Sequence, residues 1–144
     1  MTGEMHFPTV SMISLGVADL ERSRAFYEAL GLTAGPGSGE QIVFFQLAGV
    51  VLALYPRDLL AEDADVENDG QGFDGVTLAR NYSSEEAVDA AMAHALASGA
   101  TLRKKPQKVF WGGYSGYFAD PDGHLWEVAH NPFVKVDDHG IVTL

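Results

Sequence analysis

The sequence predicts an α+β domain built from two copies of one βαβββ module, in the order strand, helix, short strand, strand, strand. Two observations carry this expectation. The same order of strand and helix patterns occurs twice. Landmark residues also recur in step: Leu15 with Leu78, Gly31 with Gly99, Phe45 with Phe118, Gly49 with Gly123. The period of roughly 65–75 residues exceeds the roughly 20–50 residues of solenoid repeats, so this is a duplicated half-domain. A length of 144 residues suits one structural domain holding both copies. The expected organisation is a first module at 1–61, an acidic linker at 62–70, a second module at 71–132 and a tail at 133–144.

In the first module, Val10 to Val17 is apolar and β-branched with polar interruptions, as in a strand. Asp19 can cap a helix in which Leu20, Ser23, Phe26, Tyr27 and Leu30 share a stripe, and Gly31 is placed to end it. After a glycine-rich loop, Gln41–Leu47 and Val50–Tyr55 read as strands joined at Ala48-Gly49.

The second module repeats the order. Gly75–Asn81 reads as a strand. Ser83 and Glu86 have capping-box spacing ahead of a stripe of Val88, Ala91, Met92, Ala95 and Leu96. Gly99 ends that helix, and Thr101–Arg103 reads as a short strand. Tyr114–Ala119 and His124–Ala129 are strands joined by Asp120-Pro121-Asp122-Gly123, which suits a type I turn.

Composition narrows the chemistry. There is no cysteine, which excludes disulfides, thiolate metal sites and a cysteine nucleophile. A formal net charge of -11 repels phosphate backbones, so no nucleic-acid partner is expected. Arg103, Lys104, Lys105 and Lys108 form a basic cluster, read as a solvated loop or as a means of steering an anionic ligand. No apolar run is long enough for a membrane span. Met1-Thr2-Gly3-Glu4 lacks the features of a signal peptide, so a cytoplasmic location is expected.

Two motifs carry a resemblance. Leu15-Gly16-Val17-Ala18-Asp19-Leu20-Glu21-Arg22-Ser23, with Phe26-Tyr27 and Leu30-Gly31, resembles the opening of the vicinal-oxygen-chelate superfamily. That group includes glyoxalase I, bleomycin-resistance proteins and extradiol dioxygenases. Gly116 to Glu127 resembles its closing hairpin, and the likeness spans about 9–132. The resemblance implies that the strands form a curved mixed-sheet cup with helices outside, surrounding a small-molecule cavity. It also implies a homodimer.

Strand alternation then sorts the residues. Met12, Ser14, Ala53, Gly75, Thr77 and Glu127 face the expected cavity, with Phe44 and Gln46 as further lining candidates. Small inward residues leave room for a ligand, unless Phe44, Tyr114 or Tyr117 fill the space. Phe110 to Tyr117 sets four aromatics among three glycines. That mix suits a rim closing over a planar ligand through Trp111, Tyr114 and Tyr117, or a turn covering the core's edge. Arg57 is read as a rim residue for an anionic ligand or as half of a surface salt bridge.

Metal-dependent members of the family take one ligand from the first and last strand of each module. The corresponding positions here are Met12, Ala53, Gly75 and Glu127, of which only Glu127 offers a hard donor. None of the five histidines restores the set: His6 precedes the first strand, His94 lies on a helix, His124 and His130 point away from Glu127, and His139 is in the tail. The sequence therefore predicts no metal and no cofactor. Two functional readings remain open. One is a small-molecule-binding protein of the glyoxalase and bleomycin-resistance group. The other is an enzyme, either dependent on a divalent transition metal or metal-free with Glu127 as general base.

Overall fold

The computed structural model describes residues 9–144; His6 lies outside them. The first module comprises β1 (Met12–Val17), α1 (Leu20–Leu30), β2 (Val43–Gln46), β3 (Val51–Pro56) and α2 (Arg57–Asp63). The second comprises β4 (Thr77–Asn81), α3 (Glu85–Ala97), β5 (Thr101–Lys108), β6 (Tyr114–Ala119) and β7 (Leu125–His130). A hairpin of β8 (Lys135–Val136) and β9 (Val142–Thr143) closes the chain. No helix among the described residues is long and apolar enough to cross a membrane.

α1 follows its sequence signals. Extended Asp19 accepts from the Arg22 amide at 3.1 Å, and Ser23, Phe26 and Tyr27 turn inward. Gly31 ends the helix at φ 114°, a left-handed conformation that costs glycine no Cβ clash. The cap of α3 departs from expectation by one residue: Ser84, not Ser83, accepts from the Ala87 amide at 3.1 Å. Both serines have cap chemistry. The register is set by packing, which buries Val88, Met92 and Ala95 together.

Three further departures have physical causes. Gly75 takes φ 80°, so β4 begins only at Thr77. The stretch after Pro56 forms α2, which packs on β1 and β3 and runs two residues into the acidic segment. β5 continues to Lys108 through two register shifts, so the basic cluster lies on an edge strand and not in a loop. Bulges and charges are devices by which sheet edges avoid further pairing, and they mask the strand pattern in the sequence. In the first module the short strand is reduced to one bridge, Ala34 with Phe45.

The first sheet has the order β1-β3-β2 and the second β4-β7-β6-β5. Each is mixed: β1 runs parallel to β3 and β4 to β7, while the other pairs are antiparallel. The helices cover the outer faces of these curved sheets. Their apolar sides merge into one cluster that includes Leu15, Phe45 and Leu54 from the first sheet and Phe118 and Val128 from the second. The helices also touch, with His94 Nε2 3.1 Å from the Leu30 carbonyl.

Candidate functional site

Residues paired directly across neighbouring strands share a face. The register Met12–Val51–Gln46 and Ser14–Ala53–Phe44 therefore places five of the expected residues on one face of the first sheet. In the second sheet, Thr77 pairs with Leu125, and a single row crosses four strands as Ala79, Glu127, Tyr117 and Lys104. These faces are turned away from α1 and α3, while α2 packs at the end of β1 with Arg57 against Gly16.

Accessibility then separates the residues. Met12, Ser14, Gln46 and Thr77 are exposed, and Phe44, Tyr117 and Glu127 are half-buried. Ala53 is 0% exposed, so it offers no surface to a ligand. Gly75 is an exposed turn residue ahead of β4. Tyr114 is on the opposite face from Tyr117 by strand alternation. Its hydroxyl donates to Asp89 Oδ1 of α3 at 2.7 Å, and that bond leads the causes that push its pKa up to about 12. Trp111 belongs to a closed turn in which the Val109 amide donates to the Gly113 carbonyl and the Gly112 amide to the Val109 carbonyl, each at 3.0 Å. Its ring lies over Gly113, where a Cβ would collide with it.

Tyr117 and Glu127 stand opposite each other. Burial, followed by the negative charge of Glu127, raises the Tyr117 hydroxyl above the ordinary tyrosine range. Among the described residues, no three histidine, aspartate or glutamate side chains converge to hold a metal ion. Three of the histidines, His94, His124 and His130, have a ring nitrogen on a backbone carbonyl. His124 Nε2 lies 2.7 Å from the Gly16 carbonyl and His130 Nδ1 lies 3.0 Å from the Tyr82 carbonyl. A carbonyl only accepts, so both of these nitrogens carry protons and present no lone pair to a metal. The side chains at the four ligand positions, Met12, Ala53, Gly75 and Glu127, do not fit the family's metal.

A cavity of about 670 Å³ opens where the modules meet. Ser14 comes to it from β1, Tyr117 and Leu125 from the second sheet, Arg57 from α2 and Arg103 from β5. The crossover segment, including Gly72 and Phe73, supplies another wall. Sequence reasoning missed that wall because the expected linker ends at Gly70 and 71–74 carry no strand or helix pattern; Phe73 among Gly70, Gly72 and Gly75 was the available signal. Arg57 forms no surface salt bridge among the described residues: its Nε donates instead to Asn68 Oδ1 at 2.7 Å. A second concavity of about 970 Å³ lies between α1, α3 and the tail hairpin, over the core residues Phe118 and Trp126. The first is the candidate site, because it takes one expected residue from each module, Ser14 and Tyr117; Met12, Phe44, Gln46, Ala53, Gly75, Thr77, Trp111, Tyr114 and Glu127 do not line it.

Comparison with known proteins places this geometry. Residues 9–128 match the model of the Glyoxalase/Bleomycin resistance protein/Dioxygenase superfamily. The chain is 31% identical over 121 residues to the metallothiol transferase FosB of Shouchella clausii (strain KSM-K16), covering 83% of this chain and 77% of that one. A glyoxalase-related enzyme from Fulvimarina pelagi superposes with a TM-score of 0.85 at 36% identity, covering 96% of this chain and 99% of that one. A glyoxalase/bleomycin resistance protein/dioxygenase from Nocardioides gives a TM-score of 0.72 at 30% identity, over 87% and 84% of the two chains. This chain belongs to the glyoxalase/bleomycin resistance protein/dioxygenase superfamily.

Proposed function

We propose that this protein is a cytoplasmic homodimer that binds a small organic molecule in the cavity between its modules, without the metal centre of its metal-dependent relatives. One observation carries the reading: a cavity joins both modules, while Met12, Ala53 and Gly75 stand at three of the four ligand positions. A lone carboxylate with no converging partner does not hold a transition metal against water. The metal in the name of the Shouchella clausii relative does not carry over for that reason. Dimerisation is favoured by large apolar side chains left in solvent, with Phe110 102% and Phe133 75% exposed.

A second reading, metal-free catalysis with Glu127 as general base, is favoured by the Tyr117–Glu127 pair. A carboxylate beside a half-buried hydroxyl can exchange a proton with a bound substrate.

Native mass spectrometry tests these readings together, on protein purified without chelators after growth with nickel, cobalt, iron, manganese and zinc. The expected spectrum shows two chains, a retained organic adduct and no transition metal. One metal per chain, lost in Glu127→Ala, would overturn the metal-free reading. If Glu127→Gln retains a molecule that the wild type converts and releases, Glu127 is catalytic. Equal retention in both makes the protein a binder.

A further inference from the structure

The cavity walls carry two arginines that no ion pair engages among the described residues. Arg22 pairs with Asp122 at 3.2 Å, Arg24 with Glu28 at 3.4 Å and Lys108 with Glu85 at 3.2 Å. Arg57 and Arg103, both in the cavity wall, form no ion pair among the described residues. This occurs in a chain of 20 acidic residues. Arg57 is also held in place. Its stem packs over Gly16, and its Nε is occupied by Asn68, which in turn donates to Asp58. The two terminal nitrogens of its guanidinium remain for a ligand. Asn68 is a neutral partner and leaves the charge intact.

Two carboxylates share the wall. Asp122 is spent: it accepts from the Ala18 amide at 2.8 Å, the Ser23 hydroxyl at 2.6 Å and the Arg22 guanidinium. Asp74 makes no hydrogen bond among the described residues, but its Oδ1 flanks Gly70 together with a terminal nitrogen of Arg57, so it partly offsets that charge and opposes an anion. The rest of the wall is largely apolar, with Ile13, Phe73, Val76 and Leu125. Such a site matches a molecule with an apolar body and one charged end. Arginine suits that end because its planar fork meets carboxylate or phosphate oxygens with paired hydrogen bonds.

From this arrangement we propose that the ligand is an amphipathic small anion, its carboxylate or phosphate gripped by Arg57 and Arg103 and its apolar part lying along the wall. This rests on the small-molecule-binding reading and specifies its ligand class.

The test is calorimetric titration with three probes sharing one body: 2-naphthoate, 2-naphthyl phosphate and neutral 2-naphthalenemethanol. At least one anion is expected to bind about tenfold or more tightly than the alcohol. Which anion wins identifies the group. Arg57→Gln and Arg103→Gln are each expected to weaken that anion by about tenfold and leave the alcohol unchanged. Arg57→Gln keeps the Cβ and Cγ atoms that pack on Gly16, and Arg103 is exposed, so both variants retain their packing. Asp74→Asn is expected to act in the opposite direction and tighten the anion. Equal binding of alcohol and anions, or a preference that survives in the double arginine variant, would overturn the proposal and leave the small-molecule reading standing. No binding of any probe would also overturn it. The retained adduct in the native spectra then decides separately whether the wider reading falls with it.

Discussion

Tyr27 donates to Asp120 Oδ2 at 2.7 Å and accepts from Trp126 Nε1 at 3.0 Å, tying α1 to the hairpin of the other module. Asp120 is 3% exposed, and its other oxygen accepts from the amides of Asp122 and His124. Tyr27→Phe preserves shape but removes the partner of a buried carboxylate oxygen and an indole N–H. The expected loss is about 2–3 kcal/mol in chemical denaturation. The pH dependence has a definite sign. Burial first, then the charge of Asp120, push the Tyr27 hydroxyl far above its ordinary 10.0. Below that value both folded and unfolded chains keep the proton, and the contribution is whole. Above it only the unfolded chain releases the proton, so stability falls as pH rises. The wild-type denaturation midpoint should therefore drop above about pH 10 more steeply than that of Tyr27→Phe. Equal slopes would remove Tyr27 from the account. At this scale the sequence was legible in part. Helical spacing put Tyr27 on the inward stripe, and alternation turned Glu127 away from the helix side of its strand. It could not join Tyr27 to a residue 93 positions away, because periodicity assigns a face and not a partner.

β5 and β6 show what element-level reading missed. β5 arches over Gly116, where an added Cβ would lie 2.7 Å from the Lys104 carbonyl oxygen and the Pro106 nitrogen. Both are backbone atoms, so no rotamer change relieves the clash. Gly116→Ala is expected to cost about 2–3 kcal/mol and to speed amide exchange along β5 first. An unchanged melting temperature would show that the arch is free to shift. Strands with apolar alternation, such as β3 and β7, were readable. Of β5 only Thr101–Arg103 was read, because the charges beyond it and Pro106 are edge-strand features that resemble a loop. α2 was hidden for a related reason: seven residues with acids among them, and only a half-buried pair, Leu59 and Leu60, to mark a face.

At the scale of the molecule, two sheets that share no strand are joined by one core. Phe26 of α1 and Phe118 of β6 lie 6.5 Å apart between ring centres. Neither module can open without exposing the other's apolar face, so calorimetry should show a single transition with equal calorimetric and van't Hoff enthalpies. Two resolved peaks would make the modules independent. The duplication was legible in the sequence because each half carries its own capped helix and closing hairpin. The mutual packing of the helices was not, since each amphipathic stripe is equally satisfied by any apolar surface. The basic edge of β5 bears on behaviour in concentrated solution. An unpaired strand edge is a template on which further copies add, the route to fibrils. Here a second copy presenting the same edge would bring Arg103, Lys104, Lys105 and Lys108 against their own counterparts, so the one long edge of the second sheet disfavours its own polymerisation.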